Sequence, residues 1–179
     1  VEIISGPPYP NLPEGIILKK LPGLDLFQTF SFKERLKIFF SKKSKKLIDV
    51  YEFIATLFGS FPEMRTFGNR SYRWLLNNNN YDIVIDNQSI SYGILDIQKI
   101  VPFIEIIHHP ITKDYKHELE ASNKFLYRLS RYRWYSFLGM QKKVAPQIKR
   151  IITPSKNSQK DISIDFKCNP SNISVINNG

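Results

Sequence analysis

The sequence has a single cysteine, Cys168, in 179 residues. That excludes an internal disulfide and leads us to expect a reducing, cytoplasmic compartment. Long apolar runs are missing as well. The nearest to one, residues 48–61, is broken by Asp49 and Glu52, so no bilayer-spanning helix is expected. No secretory leader opens the chain. There is no repeat of solenoid period and no low-complexity tract beyond the four asparagines at 77–80. Acidic residues are few against basic ones, 16 to 26, for a net charge of +10. The excess suits an anionic partner (a phosphorylated ligand, a lipid head group or nucleic acid); a plain solubilising surface is the competing explanation.

At 179 residues the chain can bury one sizeable core and is too short for two ordinary domains. It starts at Val1, within a β-branched run, and its last residues are the turn signal Asn177-Asn178-Gly179. We expect a piece of a longer protein, with residues 1–179 forming a single domain.

Along the chain, VEIIS at residues 1–5 reads as a strand closed by Gly6-Pro7-Pro8, and residues 16–21 read as a second. Ser31 with Glu34 three residues on forms a capping-box pattern ahead of a helix. A further helix is expected over 47–58, ended by Gly59. Gly68-Asn69 is read as opening a short helix over 70–76. The run Tyr81 to Ile85 is the clearest strand of the first half, followed by a polar loop and a helix over 90–100. Residues 103–107 form the next strand, stopped by His108-His109-Pro110. Residues 116–144 read as one long or kinked helix, with Gly139 a possible kink. Residues 150–153 are a strand, Ser155 is an N-cap for a helix reaching about Phe166, and residues 173–176 are the last strand. The alternation predicts an α/β fold, a Rossmann-like three-layer domain on a mainly parallel sheet.

Four stretches in order, YDIVIDNQSISYGIL, IEIIHHPITKD, RWYSFLGMQKKVAPQIKRIITPSKNSQKDISIDF and ISVINNG, resemble the N-terminal domain of GT-B glycosyltransferases of the family 4 type. There, a strand ends in histidine, a long helix follows, a strand leads into a serine-capped helix, and a strand ends in Asn-Gly. The resemblance is good from Tyr81 to Gly179 and loose before that, where VEIISGPPYP carries it. It implies a first strand with a glycine-rich turn ahead of Val1 and a donor-binding domain after Gly179. It also implies that this piece alone is inactive. The whole protein would transfer a sugar from a nucleotide-sugar donor to a saccharide or lipid-linked acceptor, with retention. It would need no metal or other cofactor, and would be cytoplasmic or peripheral at the inner face of the membrane.

His108 stands where the family histidine falls, and the resemblance gives it the donor sugar. Imidazole both donates and accepts near neutral pH. Successive residues of an extended chain face opposite ways, so His109 should point elsewhere, as a loop shaper or acceptor contact. Two adjacent histidines without a third ligand make a poor metal site. Asn87 and Gln88 follow the preceding strand at the same edge and offer amides to sugar hydroxyls; Tyr92 and Gly93 begin the next helix and offer a ring face; Asp114 is a further candidate. For all of these an ordinary helix-capping loop is the alternative. Glu105 is out of place in an apolar strand, and we expect an edge position with solvent or a basic partner. From Phe32 to Lys46, and again from Lys124 to Lys143, cations interleave with rings. The first run suits an anionic membrane or a solvated face about equally. The second is expected to bury its rings. With no RNA-binding fold signature, nucleic acid is not expected. The rival to the enzyme is a basic α/β binding module without catalysis.

Overall fold

Short β-branched runs bury their faces and satisfy their amides only by pairing. The computed structural model of the chain describes residues 1–78 and 80–178. Among these, β3 (Val84–Asn87), β4 (Phe103–Ile106), β5 (Ile151–Thr153) and β6 (Ile173–Val175) form a four-stranded sheet in that order, every pair parallel. β1 (Glu2–Ser5) and β2 (Ile17–Lys20) pair in parallel as a separate two-stranded sheet. Parallel neighbours require crossovers. These are α4 (Tyr92–Ile97) between β3 and β4; α5 (Thr112–Glu120), α6 (Phe125–Trp134) and α7 (Leu138–Val144) between β4 and β5; and α8 (Lys156–Asp165) between β5 and β6. The α/β, Rossmann-like class is therefore observed. The main core is built of Ile94, Ile97, Phe103, Val144, Ile151 and Phe166 with their neighbours. No described helix is long and apolar enough to cross a membrane.

α1 (Phe32–Ser41), α2 (Leu47–Leu57) and α3 (Glu63–Leu76) precede the larger sheet. Asp49 and Glu52, which break the apolar run, are buried on α2. Arg70 of α3 reaches both, with Nη2 2.9 Å from Asp49 Oδ1, and Lys42 Nζ lies 2.8 Å from Asp49. Burial opposes the Asp49 charge, but the Lys42 ammonium, the Lys46 amide and the Arg70 guanidinium more than offset it, so this carboxyl is held below its ordinary value.

Several local expectations are corrected. Ser31 precedes α1, yet its side chain caps nothing; Glu34 instead takes the Thr29 hydroxyl. The β3 strand begins three residues and ends two residues later than its apolar run suggested, which places Asp86 and Asn87 within the sheet. The long helix is broken twice. Ser122 Oγ accepts the Lys124 amide at 3.2 Å after Ala121, and the chain tightens to a 3₁₀ turn over Tyr135–Phe137; Gly139 lies within α7. At β5 the expectation holds: Ser155 Oγ accepts the Ser158 amide at 3.0 Å as the N-cap of α8. Of the two asparagine turns, Asn79 and Gly179 lie outside the described residues.

Gly68 does not open a helix. α3 runs through it, and its glycine is needed where α3 crosses α4. A Cβ on Gly68 would overlap Ser91 Oγ, and one on Gly93 would overlap the Gly68 carbonyl. All three atoms nearest a Gly93 Cβ are backbone, which cannot rotate away. Gly93→Ala should therefore destabilise the fold by about 1–3 kcal/mol as overpacking, read as a lower urea midpoint; an unchanged midpoint would contradict this crossing.

Candidate functional site

β3 and β4 are neighbours in register, so their carboxyl ends emerge side by side. Ligands of parallel sheets bind beyond this edge. Here the residues after β4, His108 and His109, meet the residues closing β3. His108 Nε2 lies 2.8 Å from Asn87 Oδ1. Gln88 makes a two-point clamp: its Oε1 accepts the His108 amide at 3.0 Å and its Nε2 donates to the His109 carbonyl at 3.1 Å. With Asn87 Oδ1 accepting, Nε2 is the donor of this bond, and Nδ1 takes no part in it. The ring is exposed at this edge.

His109 turns the other way, as the strand alternation predicted. Its Nε2 lies 3.3 Å from Asp114 Oδ2 in the first turn of α5. The two imidazoles thus serve different neighbours, and the pair does not converge on a common point. Among the described residues no three His, Cys, Asp or Glu side chains cluster as a metal site.

The structure brings His108, Asn87 and Gln88 together, joins His109 to them through its carbonyl and Asp114 to the His109 ring, and leaves Tyr92 and Gly93 outside these contacts. Gly93 lies at the helix crossing, against the Gly68 and Asn69 backbone. Tyr92 is half-exposed beneath the Arg65 guanidinium, 5.5 Å from its ring centre. Asp114 is tied to His109. Asn87 and Gln88 were expected to bind a ligand themselves; the geometry shows them holding the histidine segment.

The loop that carries Gln88 is shaped by short-range bonds. Asp86 accepts from the Ser89 amide at 2.8 Å and from its hydroxyl at 2.6 Å. Gln88 and Ile90 adopt φ of 65° and 40°, left-handed values that non-glycine residues rarely hold. Below this loop is Glu105, and here the edge expectation fails. β4 is an interior strand, Glu105 is 0% exposed, and no donor reaches either oxygen in full hydrogen-bond geometry. Burial, then the adjacent Asp86 carboxylate, push its pKa well above the ordinary range, while the Gln88 and Ile90 amides offset this only in part.

A cavity of about 700 Å³ opens between β1 and β3. Ile3 and Ile4 line one wall; Val84 and Ile85 line the other. Among the described strands each wall is a sheet edge, because β1 pairs only with β2 and β3 only with β4. Glu63 and Arg70 line it too. Burial, then the Glu52 and Asp25 charges, raise Glu63 to about 7. Sequence reasoning missed Glu63 and Arg70. The signal for Arg70 was present in the two acidic residues of an apolar helix, which demand a buried cation.

Comparison with known proteins supplies the wider setting. The family description Glycosyltransferase Family 4 matches residues 28–179. An MMP alpha-(1->4)-mannosyltransferase of Mycolicibacterium hassiacum is 38% identical over 179 residues, 98% of this chain. The chain spans 43% of that relative's length. With a parallel sheet whose adjoining strands end in a clamped histidine, and a match over most of its length, the chain belongs to Glycosyltransferase Family 4.

Proposed function

We propose that the whole protein transfers a glycosyl group from a nucleotide-sugar donor to a saccharide or lipid-linked acceptor, with this chain as the N-terminal half of a GT-B enzyme. The observation that carries the reading is His108, fixed by Asn87 and Gln88 at the carboxyl edge of a parallel sheet. A ring held by neighbours rather than by ligand is preorganised, so little is lost in ordering it when a sugar hydroxyl binds. The relative's name suggests a mannosyl donor and an α-(1→4) product. An α product from an α-linked donor is retention. Groups stabilising the leaving diphosphate would come from the other half of the protein. The facing edges of β1 and β3 suit a strand supplied by sequence outside residues 1–179, which would join the two sheets and fill most of the cavity.

The test is transfer by the whole protein from GDP-mannose and UDP-glucose to short mannosides, followed by mass and by the anomeric coupling of the product. A one-hexose mass gain with an α linkage supports the reading. Donor hydrolysis and transfer both absent, alongside tight RNA or vesicle binding, would favour the non-catalytic module.

A membrane contact is favoured by a specific surface. α1 packs Leu36, Ile38 and Phe39 inward, with Phe39 stacked on Phe53 at 4.2 Å, and leaves Phe32 and Phe40 outward beside Lys33 and Lys37. Of the run 124–143, expected to bury its rings, Tyr135 and Phe137 are buried and Trp134 packs against them, whereas the start of α6 leaves Phe125 and Leu126 75% and 76% exposed next to Lys124 and Arg128. Rings that enter the head-group layer beside cations suit a peripheral position on anionic lipid. Vesicles of phosphatidylglycerol should bind the protein with a salt-sensitive affinity, and Lys33→Glu with Lys37→Glu should weaken it by about 1 kcal/mol per residue. Equal binding to neutral phosphatidylcholine would remove this contact.

A further inference from the structure

The position of Glu105 is costly. A carboxyl group with no exposure and no bonded donor must find another way to stay inside. Its register partner on β3 is Asp86, a second buried carboxyl. Its register partner on β5 is Ile151, which brings no charge. Asp86 is therefore the charged group that faces it.

We propose that Glu105 is a positioning residue for the donor-side edge: protonated, it hydrogen-bonds Asp86, and through the loop from Asp86 to Ser91 it keeps Asn87 and Gln88 on His108. The chain of contacts is continuous. Glu105 lies beneath Asp86; Asp86 fixes Ser89 by two donors; the intervening Gln88 and the following Ile90 are held left-handed; and Gln88 clamps the His108 amide and the His109 carbonyl. A loop with two left-handed non-glycine residues persists only when its surroundings over-determine it. One proton between Glu105 and Asp86 removes the repulsion of two carboxylates in one buried place. Losing that proton puts two like charges under the loop and loosens the clamp.

The contribution of protonated Glu105 is complete below the ordinary carboxyl value of the unfolded chain and is lost as pH climbs through its elevated folded value. A glutamine at 105 keeps the shape, donates an N–H to Asp86 and does not ionise.

The inference rests on the proposed role of His108, so its test has a readout independent of sugar transfer. In the whole protein, the His108 imidazole is followed by ¹⁵N NMR as pH is raised. Wild type should show an inflection that reports loss of the Glu105 proton. Glu105→Gln should lose that inflection. In transfer assays the same variant should stay within about twofold of wild type in kcat/KM below the inflection and decline less as pH rises through it. Glu105→Ala, which leaves Asp86 without its donor, should lose about tenfold or more. The proposal is overturned if Glu105→Gln retains the inflection, or if it is as impaired as Glu105→Ala below it. Inactive wild type with the inflection present and removed by Glu105→Gln would sink the transferase reading while sustaining the Glu105 contact.

Discussion

Replacing Arg70 with methionine should destabilise the protein by about 3–5 kcal/mol, because it leaves two buried carboxylates without their shared cation. Arg70 is the link between α2 and α3. Its guanidinium meets Asp49 and Glu52, each about 1% exposed, and its Nη1 also reaches the Thr66 hydroxyl at 3.2 Å. Methionine fills similar space, so the loss isolates the charge rather than a cavity. Lys42 still contacts Asp49 in the variant, and its half-exposed ammonium compensates in part. Glu52 has no such second cation among the described residues. Changing Asp49, Glu52 and Arg70 together to apolar residues should recover most of the loss. Urea unfolding at neutral pH measures both; an Arg70→Met midpoint near that of wild type would contradict the network. The pH dependence has a defined sign. Asp49 has a lowered folded value, so its contribution is complete above the unfolded value of about 3.9 and fades as pH falls through the lower folded one.

His108→Ala should leave folding almost unchanged and lower transfer steeply. The ring is exposed at the end of β4, and surface substitutions of this kind usually cost within about 0.5 kcal/mol. Its loss also frees Asn87 from its 2.8 Å partner, so the edge loses an ordered donor and acceptor together. Removing one preorganised hydrogen-bonding group from a transfer site typically lowers kcat about 10²–10³-fold. His109→Ala should be far milder, since that ring is directed to Asp114 at 3.3 Å and away from Asn87. Turnover by His108→Ala close to wild type would remove the donor-side role.

Much of the second half of the chain was legible because its signals are local. A β-branched run stopped by His-His-Pro marks β4 and its edge, and Ser155 caps α8 through its own neighbour's amide. The opposed directions of His108 and His109 followed from strand alternation alone. What failed to show depends on partners distant in sequence. Gly68 resembles a helix breaker, and only the crossing with Gly93 explains why a helix runs through it. Glu105 looked like an edge residue because nothing local says that β5 pairs on its far side. The later placement of β3 has the same origin: its register is set by pairing with β4, which draws Asp86 and Asn87 into the sheet. α6 carries apolar residues at helical spacing, yet its face is left uncovered, and periodicity does not say what covers a face.

Sheet order also decides how the candidate site is composed. Placing β3 beside β4 converts Asn87 and Gln88 from prospective ligand contacts into the supports of His108. Contact between this supported ring and the donor sugar would be visible in a crystal structure of the whole protein with an unreactive nucleotide-mannose analogue. A His108 ring nitrogen is expected within about 2.7–3.2 Å of a sugar hydroxyl oxygen, with the Asn87 bond retained. A bound sugar making no polar contact with the β3–β4 edge would contradict it.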